Sequence, residues 1–149
     1  MTKTLKSILV LATAALILGQ AVTAKRPAME PKNRGLPLLS NSEATRVLAR
    51  ACGDCHSDRT DWPWYSHVAP VSWWIAQHVR EGRKKLDLSK WERYSSSQKH
   101  DKLESICGLI STGRMPPWQY AAMHPEAHLT AEDKQAVCSW VKEETTAAR

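Results

Sequence analysis

The chain has 149 residues, 42% of them hydrophobic, with 21 Lys and Arg against 15 Asp and Glu and a formal net charge of +6. That length suits one domain with a modest core, and nothing in the sequence suggests a second. Without Lys3 and Lys6 the charge falls to +4. So mild a basic excess reads as a solvated surface and calls for no nucleic-acid partner.

Residues 1–24 read as a signal peptide. Lys3 and Lys6 give a basic start, Ile8 to Leu18 an apolar run, and Val22-Thr23-Ala24 the small residues that favour cleavage after Ala24. The run is short for a bilayer span, which needs ~20 apolar residues, so an uncleaved anchor is the alternative. Residues 25–39, with Pro27, Pro31, Pro37 and Gly35, read as an extended leader. The domain proper is then 40–149, in an exported, periplasmic protein that meets the membrane only if the signal segment is retained.

Within the domain, Ser42 is the expected N-cap of a first helix whose Ala44, Val47, Leu48 and Ala51 share one face and which leads into Cys52. Asp61 to Pro70 reads as an aromatic loop, since Pro63 and Pro70 exclude a long helix. A second helix is expected from Pro70 and Ser72 to near Gly82, and a third through Leu103, Ile106, Cys107 and Ile110 to a stop at Gly113. A last helix begins at Thr130, where Asp133 takes the place of the usual Glu in a capping box, and buries Ala136, Val137, Trp140 and Val141. No strand-like alternation or repeat is present, so the expected fold class is all-α.

The chemistry concentrates at Cys52-Gly53-Asp54-Cys55-His56. Two thiols so spaced match the two vinyl groups of a porphyrin, and the following histidine can meet the iron from the same side. Cys52 and Cys55 are therefore expected to form thioethers to one covalent haem c, with His56 as the proximal ligand. A structural zinc site wants a second ligand pair that this sequence lacks, and a catalytic dithiol wants a βαβ context that is equally missing.

The sixth iron ligand separates the possible functions, because His/Met ligation suits electron transfer whereas an open site suits ligand binding or catalysis. Met115 is the leading candidate. It stands just after Gly113, on no helical stripe, and Pro116 biases it towards an extended backbone. Met123, His78, His124 and, behind them, His67, His100 and His128 remain alternatives. Trp62, Trp64, Trp73 and Trp74, with Trp118, are expected around the haem as porphyrin-covering aromatic groups, and Arg59, Arg80 and Arg83 as partners for propionates. Cys107 and Cys138 are either a disulfide between two helices or two small buried apolar groups.

Beyond the attachment site, Thr60-Asp61-Trp62-Pro63-Trp64-Tyr65-Ser66, Pro70-Val71-Ser72-Trp73-Trp74, His78 to Arg83, Ser89-Lys90-Trp91, Met115-Pro116-Pro117 with Tyr120, and His124-Pro125 resemble the bacterial haem-binding domain family. The resemblance runs from about Leu38 to Val141. It implies a small exported c-type cytochrome-like protein with one haem at Cys52, Cys55 and His56, and Met115 at the position of the family's Met-Pro motif. Cys107 and Cys138 lie outside that pattern. The expected architecture resembles the small cytochrome c fold. The expected function is one-electron transfer with a periplasmic redox protein, after haem attachment by the c-type maturation machinery, and not an enzymatic one. A gas- or small-molecule-binding haem module and a peroxidase-type haem enzyme are the alternatives.

Overall fold

A computed structural model describes residues 3–21 and 42–147. Six α-helices account for most of them, α1 (Lys3–Ala21), α2 (Glu43–His56), α3 (Val71–Lys85), α4 (Ser96–Ser111), α5 (Trp118–Met123) and α6 (Ala131–Ala147). Short 3₁₀ turns cover Trp64–His67, Leu88–Arg93 and Pro125–Ala127, and no strand occurs among the described residues. The fold class is all-α. The Val22–Ala24 cleavage site and the leader at 25–39 lie outside the described residues.

Helix α1 is longer than its apolar run, because the flanking residues on both sides are helical as well. Its 19 residues have an 18-residue window of mean hydropathy 1.6, long and apolar enough to cross a membrane by length and composition. The sequence-based estimate of a short span is corrected accordingly: at 1.5 Å per residue such a helix rises about 28 Å.

Helix α2 is capped as anticipated. The Thr45 N–H donates to the Ser42 hydroxyl at 3.3 Å, and the Ser42 N–H donates to the Thr45 hydroxyl at 3.1 Å. Ala44, Val47, Leu48 and Ala51 are no more than 2% exposed. Ala44, Val47 and Leu48 pack with Leu103, Ile106 and Ile110 of α4 and Val137, Trp140 and Val141 of α6 in one core, which Leu88 and Trp91 complete from the intervening turn. Each such buried aliphatic side chain contributes roughly 1.5–3 kcal/mol of burial. Residues 52–56 form the last turn of α2, so the Cys-x-x-Cys-His motif is helical throughout.

Helix α3 runs through Gly82 to Lys85 instead of stopping there. The reason is packing. A Cβ on Gly82 would lie 2.5 Å from the Cys55 carbonyl oxygen and 3.2 Å from its carbon, so only glycine lets α3 cross α2 at this point. Gly113, by contrast, is a true terminator with φ of 68°. At α6 the Thr130 N–H donates to Asp133 Oδ2 at 2.9 Å and the Asp133 N–H to the Thr130 hydroxyl at 3.1 Å, the reciprocal cap that the sequence indicated. A Cys107–Cys138 disulfide ties α4 to α6 with Cα atoms 5.1 Å apart. Helix α5 and the 3₁₀ turns are additions to the sequence reading, each too short to carry a helical hydrophobic period.

Candidate functional site

A cavity of about 520 Å³ opens between α2, α3, α4 and the segment leading into α5. Its size falls within the roughly 300–1,000 Å³ of cofactor and ligand pockets. Cys52, Cys55, His56 and Met115 all lie on its wall, with Leu48, Ala51, Leu86, Ile106, Leu109 and Ile110 as apolar lining.

Local structure explains the convergence. Cys52 and Cys55 are three residues apart in one helix and so share a face. Further along the chain, the positive φ of Gly113 reverses its direction, and the N–H groups of Arg114 and Met115 both donate to the Leu109 carbonyl, at 3.0 and 3.2 Å. Met115 lines the same cavity as Leu109, Ile110 and the motif residues of α2. The Met115–Pro116 peptide bond is cis.

His56 is held by its Nδ1–H, which donates to the Leu86 carbonyl at 3.0 Å, since a carbonyl can only accept. That bond fixes the tautomer and leaves Nε2 as a free lone pair, the arrangement of metal-ligating histidines generally. Burial lowers the His56 pKa, against the opposing effect of its backbone hydrogen bonds and Asp87, and keeps the imidazole neutral. The two free thiols are pushed the other way, Cys52 up to about 12 and Cys55 up to about 11, in each case chiefly by burial. A catalytic dithiol depends on a depressed thiol, so these protonated cysteines disfavour that chemistry. Among the described residues no group of three or more His, Cys, Asp and Glu side chains is arranged to hold a bare metal ion. One imidazole, one thioether and two S–H groups around an apolar cavity fit haem.

Asp54, inside the motif, anchors α5. The Tyr120 hydroxyl donates to Asp54 Oδ2 at 2.7 Å, and the Asp61 N–H donates to Oδ1 at 2.8 Å. Burial and the Asp54 carboxylate raise the Tyr120 pKa, so that this cavity-wall phenol stays a donor. Tyr120 stacks on His124 with ring centroids 4.3 Å apart, and His124 Nε2 pairs with the Tyr65 hydroxyl at 2.8 Å.

The tryptophans expected against the porphyrin stand elsewhere. Trp62, Trp64, Trp73 and Trp74 are absent from the cavity wall, as is Trp118, and Trp64 is 78% exposed. The physical reason lies in α3, whose cavity stripe is His78, Gly82 and Lys85, one turn or more beyond Trp73 and Trp74. Of the alternative axial ligands only His78 reaches the wall; Met123, His67, His100, His124 and His128 do not. Arg59, Arg80 and Arg83 are likewise off the wall, and the Arg83 guanidinium donates to the Thr60 hydroxyl at 3.0 Å. The cations on the wall are instead Lys85 and Lys102, which sequence reasoning missed. Their signal was the i, i+4, i+7 spacing of His78, Gly82 and Lys85, and of Gln98, Lys102 and Ser105.

No curated protein and no solved structure matches this chain. A family model described as a haem-binding domain matches residues 14–143, which include the whole of the cavity wall. The chain therefore belongs to the haem-binding domain family, and haem is the cofactor that this membership implies.

Proposed function

We propose that the protein is an exported mono-haem c-type cytochrome that carries single electrons in the periplasm. The observation that carries this reading is the presence of both free thiols, the His56 imidazole and the Met115 thioether on the wall of one apolar cavity. Bound there, haem supplies reversible one-electron chemistry at its iron. Cys52 and Cys55 would hold the haem covalently as thioethers, each S–H adding across a vinyl double bond so that no oxidant would be consumed. His56 presents Nε2 because Nδ1–H is committed to the Leu86 carbonyl. Met115 would hold the iron through its thioether and raise the reduction potential. The aliphatic lining excludes water, and Lys85 and Lys102 offset the negative charge of propionates.

Export is supported by two features, the apolar helix α1 and the Cys107–Cys138 disulfide, which belongs to an oxidising compartment. The implied partners are the c-type maturation machinery and a periplasmic redox protein. On this reading the protein is a carrier and not an enzyme.

The visible spectrum of the oxidised holoprotein tests the ligand assignment. The weak far-red band of Met-ligated ferric haem should be present and should vanish in Met115→Ala, with the haem still attached and the potential lowered. Absence of the band in the parent protein removes His/Met ligation. His78 on the same wall favours a second reading, a module with a labile sixth ligand. Rapid stoichiometric binding of carbon monoxide by the reduced parent protein would select it.

A further inference from the structure

The tryptophans that leave the cavity form a feature of their own. Trp64, Val68, Val71, Trp73 and Trp74 are 78%, 44%, 43%, 39% and 48% exposed, and all lie within eleven consecutive residues around Ala69 and Pro70. A soluble carrier has no use for such an apolar surface. Indole side chains, however, are the groups that settle at a membrane–water interface, where the ring meets the acyl boundary and the N–H meets headgroups.

The C-terminal end of α1 is seated in the middle of this surface. Gln20 Nε2 donates to the Ala69 carbonyl at 3.2 Å, and the Ala69 N–H donates to Gln20 Oε1 at 2.9 Å. One amide thus satisfies both backbone groups of a residue 49 positions away, itself only 7% exposed. At Gly19 an added Cβ would touch the Trp73 ring at 3.8 Å. Cleavage after Ala24 would take this partner away from both Ala69 backbone groups. From Ile8 to Leu18 α1 carries no charge, and no residue of the helix is buried against the domain, a pattern that calls for lipid on all sides. Lys3 and Lys6 mark the opposite end, the cytoplasmic one by the positive-inside rule. The family match itself begins at residue 14, inside α1.

We propose that α1 is retained as a membrane anchor and that Trp64, Trp73 and Trp74 rest in the headgroup region of the bilayer leaflet from which it emerges. The Gln20–Ala69 pair joins anchor to domain and holds that face against the lipid. The proposal shares with the electron-carrier reading only the export of the domain.

The test uses the full chain, expressed with haem attachment and purified from membranes. Its N-terminal sequence is expected to precede residue 21, whereas a chain beginning at Lys25 overturns the proposal. The protein is then placed in nanodiscs of phosphatidylcholine and phosphatidylglycerol that include a phosphatidylcholine carrying a carbene-generating diazirine near the headgroup. After illumination, labelled peptides are mapped by mass spectrometry. Labels are expected on α1 and on the segment from Trp64 to Trp74. Labels confined to α1, as when another protein or water covers the tryptophans, overturn the interfacial placement. In Trp64→Ser/Trp73→Ser/Trp74→Ser, labelling of that segment should fall several-fold while the Soret band and covalent haem staining stay as in the parent; unchanged labelling also counts against it. Haem staining and the far-red band report the carrier reading separately, so either idea can fail without the other.

Discussion

The four cysteines meet two different fates around the same core. Cys52 and Cys55 sit in one turn of α2, face a cavity and remain thiols, whereas Cys107 and Cys138 come from α4 and α6 and close a disulfide. Spacing within one helix points two sulfurs the same way but side by side, towards a third body. Spacing across two packed helices brings two sulfurs to each other. The first arrangement leaves two thiols on a cavity wall and the second cross-links two helices.

This contrast can be broken from either side. Cys52→Ser/Cys55→Ser should abolish covalent haem attachment altogether, read as loss of haem staining on a denaturing gel, because no other free thiol lies on the cavity wall. Cys107→Ser/Cys138→Ser should keep haem staining yet lower unfolding free energy by roughly 3–4 kcal/mol in denaturant titrations, as the closed loop of 31 residues implies. Retention of haem by the first variant, or its loss from a folded second variant, would erase the distinction.

Gly82→Ala sharpens the comparison, since it burdens the haem side alone. Alanine favours helix by ~1 kcal/mol over glycine. Its Cβ, however, meets the Cys55 backbone oxygen, an atom that cannot yield without moving α2. A net destabilisation of ~1–3 kcal/mol with poorer haem incorporation is expected, and a stabilised variant would refute the close crossing.

The smallest effect concerns Asp133. Hydrogen bonds from Arg50 and the Thr130 N–H lower its pKa, so its stabilisation is present above the unfolded carboxyl pKa of about 3.9 and fades as pH falls through the lower folded value. Asp133→Asn should therefore cost under ~1 kcal/mol near neutrality, the Arg50 pair being partly exposed, and nothing in strong acid. A stability difference that persists at low pH would point to packing instead.

Much of this molecule was legible in its residues. The caps at Ser42 and Thr130 are local hydrogen-bond grammar, and the buried stripe of α2 follows from helical periodicity. The turn at Gly113 is equally local, because a positive φ depends on the residue itself. Gly82 deceived for the opposite reason. A glycine that ends a helix and one that admits a neighbouring backbone are identical in sequence, and only the position of α2 distinguishes them.

The tryptophans teach the same lesson at larger scale. An aromatic run beside a Cys-x-x-Cys-His motif suggests a porphyrin wall, but sequence proximity does not say which turns of α3 border a cavity. The turns that do so carry His78, Gly82 and Lys85, around the crossing with α2, while Trp73 and Trp74 lie a turn or more before them. The sequence by itself determined the helical class, the capped elements and the helical setting of Cys52, Cys55 and His56, all products of short-range geometry. Only the tertiary structure decided that Met115 shares a wall with His56, that Cys107 meets Cys138 and that the tryptophans look outward, because each depends on how helices far apart in the chain are packed.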